Sequence, residues 1–155
     1  MLSRFARFSM CIAQIDRCWH KLAAEEMAKY ELNSPHAVYL TTLYDIEEGI
    51  TAARLGELSG KNKADVSRMV TILEKKGLVR KQTVDGKLYR AKLLLTEEGK
   101  KAARHVRQRA AVAVELAGAG LSDKNREVFY EALEQITKNL QTLSREGIPS
   151  NEEAL

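Results

Sequence analysis

The apolar positions at the start of the chain follow a helical spacing. They recur in alternating steps of three and four residues, over nearly three heptads, at Phe5, Phe8, Ile12, Ile15, Trp19 and Leu22. This spacing predicts a long helix whose narrow apolar seam is covered by another helix. The pattern loosens further along, and we expect the helix to end near Asn33.

A second helix is expected to begin directly after this point. Ser34 is a suitable N-cap, Pro35 suits the first helical position, and Gly49 is expected to end the segment. Its apolar side would be formed by Val38, Leu40, Leu43 and Tyr44. A third, short helix is predicted between a cap at Thr51 and a stop at Gly60, with Leu55 and Leu58 facing inward.

A fourth helix follows, and its two sides differ in character. Asn62 and Asp65 resemble a capping box with a shorter acid, and Gly77 is a left-handed stop. At 100° per residue, one buried stripe is formed by Val66, Met69, Val70 and Leu73. The opposite side carries Ala64, Arg68, Thr71 and Lys75, with Ser67 beside them.

A hairpin and two long helices complete the chain. The segments "LVRKQ" and "LYRAKLLL" read as strands around the turn signal Asp85-Gly86. Thr96 caps a helix that runs to about Ala117. The last helix starts at Ser122 and Asp123 and ends at Gly147, and its apolar positions step four, three, four, three through Phe129, Leu133, Ile136, Leu140 and Leu143.

The predicted fold is mainly α with a small β-hairpin wing. Three short helices followed by a hairpin form a winged helix-turn-helix, flanked here by long N- and C-terminal dimerisation helices. We predict a DNA-binding lobe at residues 34–96, a helical dimerisation region at 1–33 and 97–147, and a frayed tail at 148–155, all in one interwoven unit. The two apolar seams favour a dimer, although both seams packing within one chain is the alternative.

Charge is concentrated in one part of the chain. The 155 residues have a net charge of +4, but residues 61–92 hold ten Lys or Arg against three acidic residues, or +7. The sequence shows no apolar run of membrane-spanning length and no secretion signal, so we expect a cytoplasmic protein. Two cysteines are too few for a disulfide framework.

The basic segment predicts a surface that contacts double-stranded DNA. In a winged helix-turn-helix the second helix of the pair enters the major groove, and arginine is the side chain that most often reads guanine. Arg68 is therefore the expected base reader. Contacts with phosphates or the thymine methyl group are expected from Asn62, Lys63, Ser67 and Thr71. Ala64 and Lys75 share the side of the helix that suits base edges and phosphates. The wing, with Lys87 and Arg90, is expected to follow the backbone or enter the minor groove. A merely solvated helix face is the alternative.

The segments "AARLGEL", "ADVSRMVTILEKKGLV" and "LLLTEEGK" resemble the core of the MarR-type transcription regulators. The resemblance covers essentially the whole chain, because that family also has a long first helix and two long final helices, which form its dimer interface. It implies a homodimeric regulator, and the two-fold pairing predicts a pseudo-palindromic operator. Family members usually carry Asp-x-Arg in the wing, and the position of that arginine falls on Tyr89 here.

The resemblance also suggests how such a regulator is released from DNA. Family members commonly bind small aromatic effectors, for which Trp19, His20, Tyr39 and Tyr44 are candidates. A peroxide-sensing branch uses a cysteine early in the first helix, where Cys11 lies. The alternatives are that Trp19 packs in the core and that Cys11 and Cys18 are small buried residues.

No catalytic motif, cofactor motif or metal-ligand spacing is present in the sequence, so we expect neither an enzyme nor a cofactor. The expected function is a sequence-specific transcription regulator, a dimeric repressor released by a small-molecule ligand or by thiol oxidation. A winged helix whose main partner is protein or RNA is one alternative. A small-molecule-binding dimer with an incidental basic segment is the other.

Overall fold

The computed structural model of the chain describes residues 3–149, apart from the side chains of Val84, Leu88 and Tyr89. The helices and strands are, in chain order, α1 (Arg4–Ala28), α2 (His36–Asp45), β1 (Ile50–Thr51), α3 (Ala52–Ser59), α4 (Lys63–Lys75), β2 (Val79–Val84), β3 (Lys87–Leu95), α5 (Glu97–Ala117) and α6 (Asp123–Glu146). The mainly helical architecture with a small antiparallel wing is confirmed. The predicted tail from Ser150 onward lies outside the described residues.

The chain divides into two compact units, residues 1–112 and 113–155. In the described part, the first unit contains α1, the winged helix-turn-helix and most of α5. The second contains the last residues of α5 together with α6, and Arg126 of α6 forms an ion pair with Glu115 of α5. The predicted division at residues 33/34 and 96/97 stays a prediction.

The core of the first unit lies among α2, α3, α4 and the sheet, together with the end of α1 and the first half of α5. Each element contributes one apolar side, and the largest fully buried side chains are Tyr39, Met27, Leu40, Leu55, Leu73 and Leu93. The helix caps follow the sequence: Thr51, Asn62 and Ser122 each accept a hydrogen bond from a backbone N–H three residues on. Gly60 and Gly77 adopt the left-handed conformation at helix ends, as predicted.

The sheet has the order β1-β3-β2. β1 was not predicted, because it is only two residues long and has no alternation of its own. It pairs with β3 through Ile50 opposite Leu93 and Thr51 opposite Lys92. The turn at Asp85 and Gly86, both at positive φ, joins β2 to β3 as the sequence predicted. A third strand thus fixes the base of the wing to the helix-turn-helix.

The chain between α1 and α2 differs from the prediction. α1 ends at Ala28 and not near Asn33, because a tight turn follows in which the N–H of Leu32 donates to the carbonyl of Met27. Ser34 does not cap α2 with its side chain, because Asn33 to His36 form a turn of their own. The imidazole of His36 accepts the N–H of Asn33 at 3.1 Å there.

Some predicted inward residues face outward. Val38 and Leu58 are exposed, whereas His36 and Tyr39 fill the inner side of α2. α2 also ends at Asp45, four residues before Gly49. The exposure of Val38 and Leu58 has one cause: in an eight- or ten-residue helix the position of its neighbours, and not its own periodicity, selects the buried side. Burial lowers the pKa of His36, because a charged imidazole is poorly solvated there.

Candidate nucleic-acid interface

Helix α4 has the two-sided character that its sequence predicted. Val66, Val70 and Leu73 are buried, and Met69 is partly buried. They hold the helix to the core of the lobe. The predicted contact residues on α4 and at its cap are all exposed: Asn62, Lys63, Ala64, Ser67, Arg68, Thr71 and Lys75. The structure thus gathers them on the outer surface of one helix.

The first turn of α4 is fixed by its cap. The Asn62 side chain accepts the N–H of Asp65 at 2.9 Å, which is the N-cap half of the predicted capping box. The Asp65 carboxylate accepts a hydrogen bond from the guanidinium of Arg68, three residues further along. From its place in the sequence, Asp65 was predicted to be a capping residue only. Its spacing of three from Arg68 was the signal available for this contact.

Further along α4, the Thr71 hydroxyl is hydrogen-bonded to the helix backbone. Thr71 Oγ1 donates to the carbonyl of Ser67 at 2.8 Å, so its hydroxyl proton is used within the helix and the oxygen keeps its capacity to accept. At the end of the helix, Lys76 forms an ion pair with Glu31 in the turn after α1. Lys76 holds the pKa of Glu31 below its usual range. The last turn of α4 is therefore connected to the turn between α1 and α2.

The wing carries cations along β3 and at its base. Lys87 and Arg90 are exposed on β3. Lys81 forms an ion pair with Glu74 of α4 at 2.9 Å, and Lys92 donates to the carbonyl of Glu48 at 3.3 Å. The side chain of Tyr89, at the position where the resemblance led us to expect arginine, lies outside the described residues.

The wing closes against α5 through Thr96. Its backbone N–H donates to the carbonyl of Leu78 at 3.0 Å, and its hydroxyl donates to the carbonyl of Gly77 at 2.6 Å. The same hydroxyl accepts the N–H of Gly99 at 3.0 Å. A Cβ at Gly99 would lie 1.9 Å from the Leu78 carbonyl oxygen, so this position has room only for glycine. The sequence "LLLTEEGK" therefore has a packing function at the base of the wing.

A cluster of charges joins α1 to α5. Glu26 contacts Lys29 at 2.6 Å, Arg109 at 3.0 Å and His105 at 3.2 Å. Hydrogen bonds from Lys29, Arg109 and His105 lower the pKa of Glu26 to about 2. Sequence reasoning missed this cluster, because its members are about 80 residues apart. It fixes the end of α1, and with it the turn that contacts Lys76.

The four candidate effector residues have different environments. Tyr39 is only 1% exposed and belongs to the core, and burial raises its pKa. Trp19 is 42% exposed, and His20 is exposed with its Nδ1 3.2 Å from the carboxylate of Asp16. Tyr44 is half-buried, and its ring is 5.7 Å from the Arg107 guanidinium. Their role as an effector site stays a prediction.

Both thiols lie on the surface of α1. Cys11 and Cys18 are exposed in the single chain, and Cys18 Sγ accepts a hydrogen bond from the Gln14 amide at 3.3 Å. Trp19 is likewise not in the core of the single chain. Among residues 3–149, no three His, Cys, Asp or Glu side chains come together as a metal site. In the same range, no helix has both the length and the apolar character needed to cross a bilayer.

Comparison with known proteins agrees with the lobe described above. A model of the MarR family matches residues 32–85, which run from the turn before α2 to the turn of the wing. No curated protein matches the chain by sequence.

Solved structures match the chain over most of its length. A MarR transcriptional regulator from Methanosarcina mazei Go1 is 21% identical, with a TM-score of 0.78 over 88% of this chain and 97% of that one. A Listeria monocytogenes protein assigned to the MarR family, complexed with a 26-mer DNA, is 19% identical, with a TM-score of 0.80 over 97% and 99%. The S. aureus MepR–DNA complex is 16% identical, with a TM-score of 0.77 over 90% and 99%. The chain therefore has the fold of MarR transcriptional regulators, and its segment 32–85 matches the MarR family.

Proposed function

We propose that this chain is a sequence-specific DNA-binding transcription regulator and not an enzyme. One observation carries the proposal: α4 packs one side into the core of a MarR-type lobe and presents Arg68 and its neighbours on the other side. A helix held in this way has a rigid outer surface, which is what insertion into the major groove requires. Two of the structural relatives are complexes with DNA, which supports the same proposal.

The exposed residues have distinct proposed roles. Arg68 reads a guanine edge, because a guanidinium can donate two parallel hydrogen bonds to N7 and O6. Ala64 and Thr71 offer methyl groups to thymine, while Asn62, Lys63, Ser67 and Lys75 contact phosphates. In the wing, Lys87 and Arg90 follow the adjacent backbone or minor groove. The cations among them are five of the ten Lys and Arg residues in the basic segment 61–92.

We propose that the protein acts as a homodimeric repressor on a pseudo-palindromic operator. The seam residues of α1, including Phe5, Ile15 and Trp19, are exposed in the single chain. α6 has no buried residue in the described part of the chain, and Phe129 and Leu140 are exposed on it. Exposed apolar seams of this kind support an interface with a second copy, and two-fold symmetry would place the two α4 helices about 34 Å apart.

Release of the repressor by an effector or by oxidation completes the proposal. The exposure of Cys11 is compatible with access of a peroxide to the thiol. The half-buried Tyr44 beside Arg107 is compatible with an aromatic effector. Oxidation of a Cys11→Ser variant with an organic hydroperoxide distinguishes the two routes, since continued release from DNA would exclude Cys11 as the sensor.

A winged helix that mainly binds protein or RNA is the competing function. It is separated from the proposal by binding measurements on double-stranded DNA. A 26-bp duplex recovered from a random library by the wild-type protein serves as the specific probe, and a scrambled duplex of equal composition as the non-specific one. Failure to enrich any duplex sequence would exclude the proposed function.

The test uses two variants with different expected results. Arg68→Ala should weaken binding to the selected duplex by about 1–3 kcal/mol and leave the scrambled duplex much less affected. Lys87→Ala should weaken both about equally and lower the slope of log K against log salt by about 0.9. Lys101→Ala, an exposed cation on α5, is the control and should change neither. Equal losses on both duplexes for Arg68→Ala would exclude base reading by Arg68.

A further inference from the structure

The carboxylate of Asp65 lies at the edge of the proposed DNA surface. Asp65 is the third residue of α4, its N–H bonded to the Asn62 side chain. Its side chain is 35% exposed and bonds the Arg68 guanidinium, which is 74% exposed. Burial, and to a smaller extent the negative charge of Asp65, raises the pKa of the core residue Tyr39. Asp65 is thus the acidic partner of the exposed Arg68 on the outer side of α4.

As a contribution to stability this ion pair is small. Exposed pairs of residues three apart on a helix contribute little, because solvent and salt screen them. The chain contains similar pairs elsewhere, such as Arg54 with Glu57 on α3 at 2.9 Å. The position of Asp65 is what differs: it places a negative charge on the helix that faces DNA phosphates under the proposed function. Such a charge weakens binding to any DNA sequence.

The contact has a second effect, on the geometry of Arg68. A free arginine side chain on an exposed helix samples many rotamers, and its guanidinium binds phosphates as well as base edges. One N–H bonded to Asp65 restricts the side chain, and four donors remain. Two of these are sufficient for the bidentate contact with guanine. The pair thus leaves Arg68 able to read a base while restricting its access to phosphates.

We propose that Asp65 is a positioning residue that sets the sequence specificity of Arg68, raising the preference for guanine and lowering affinity for non-specific DNA. This inference rests on the function proposed above. It assigns to one carboxylate two opposite effects on binding: a gain on the selected sequence through orientation, and a loss on all sequences through repulsion.

The test compares selections from one random 26-bp duplex library. Wild type and Asp65→Asn are each used to select bound duplexes, and binding to the wild-type consensus and to its scrambled form is then measured. We expect Asp65→Asn to bind the scrambled duplex about 3–10-fold more tightly, and to select a consensus with reduced guanine preference at the Arg68 position. In an Arg68→Ala background, the same substitution should leave base preference unchanged, because no guanidinium remains to be oriented.

Two further variants keep the test decisive. Glu57→Gln removes the negative charge from the Arg54–Glu57 ion pair on α3. It is the matched control and is expected to leave the selected consensus unchanged. Asp65→Gln is also neutral, and glutamine at the third helical position suits a capping box, so this variant should fold even if Asp65→Asn does not. Thermal unfolding of each protein is measured alongside.

The outcomes distinguish the inference from the proposed function. Tighter binding to scrambled DNA together with a degraded consensus supports the positioning role. A consensus identical to that of wild type overturns it, while the proposed function stands. An equal gain on both duplexes reduces Asp65 to a repulsive charge and also overturns it. If wild type enriches no sequence, the proposed function fails and the inference fails with it.

Discussion

The absence of a side chain at Gly99 allows the first turn of α5 to pack against the base of the wing. The first turn of α5 passes so close to the wing that an added Cβ would lie 1.9 Å from the Leu78 carbonyl oxygen. The obstacle is backbone and not a flexible side chain, and the same carbonyl accepts the Thr96 N–H. Neither partner can move without breaking the connection between wing and helix. The motif that contains Gly99 was visible in the sequence, but its packing reason was not.

We predict that Gly99→Ala lowers the free energy of unfolding by about 2–3 kcal/mol, because it overpacks a site bounded by backbone. Urea unfolding followed by circular dichroism measures the change. Gly118→Ala is the control, since the nearest atoms to its added Cβ belong to the flexible Arg126 side chain, and we expect a change below about 1 kcal/mol. Equal losses in the two variants would contradict the close contact at Gly99.

Around the candidate site, the local sequence predicted some structural features correctly and others not. The 100° periodicity of α4 predicted which of its residues are buried, because a 13-residue helix samples several turns against one neighbour. The same reasoning failed at Val38 and Leu58, in helices of ten and eight residues. The pairing of Asp65 with Arg68 also lay within one helix, yet spacing alone did not say whether the carboxylate would cap the helix or bind the arginine.

At the scale of elements, α1 is fixed to α5 by the cluster around Glu26. The folded-state pKa of Glu26 is about 2, below its ordinary value of 4.5. A carboxylate with a lowered folded-state pKa stabilises the fold above its unfolded-state pKa. This contribution disappears as the pH falls from about 4.5 toward 2. Because the cluster joins residues that are distant in sequence, no local sequence pattern predicted it.

We therefore predict that Glu26→Gln lowers the free energy of unfolding by about 1–2 kcal/mol at pH 7, because three donors lose their charged acceptor. The difference from wild type should shrink as the pH falls through 4.5. Denaturant unfolding between pH 3 and pH 7 measures it. The adjacent exposed Glu25→Gln is the control, with an expected change within about 0.5 kcal/mol. A difference that is constant with pH would exclude the ionised Glu26 as its cause.

At the scale of the whole molecule, the seam of α1 is exposed in the single chain, as are Phe129 and Leu140 on α6. Its regular spacing is what a partner helix would fill. Apolar side chains this numerous on one helix are unfavourable in water, and covering them contributes roughly 25 cal/mol per Å² of apolar area buried. Under the proposed function, two linked lobes would also contact two half-sites of the DNA at once.

Ile15→Lys should therefore convert the protein to a monomer and weaken binding to the selected duplex at least tenfold, because a charge in the seam cannot be buried against an apolar partner. Sedimentation velocity and gel shift measure the two effects. Ala13→Lys introduces the same residue on the opposite side of α1 and should leave both unchanged. A wild-type protein that sediments as a monomer at micromolar concentration would rule out the dimer.

The sequence by itself determined the order of the helices, the caps of α3, α4, α5 and α6, the hairpin turn, the two-sided character of α4 and the concentration of positive charge at residues 61–92. These features arise from interactions within a few residues, where periodicity and capping chemistry act. The tertiary structure alone decided the added strand β1, the closure of the wing at Gly99, the cluster at Glu26 and the core position of Tyr39. Each joins or encloses parts of the chain that are far apart in sequence, and local patterns carry no information about those distances.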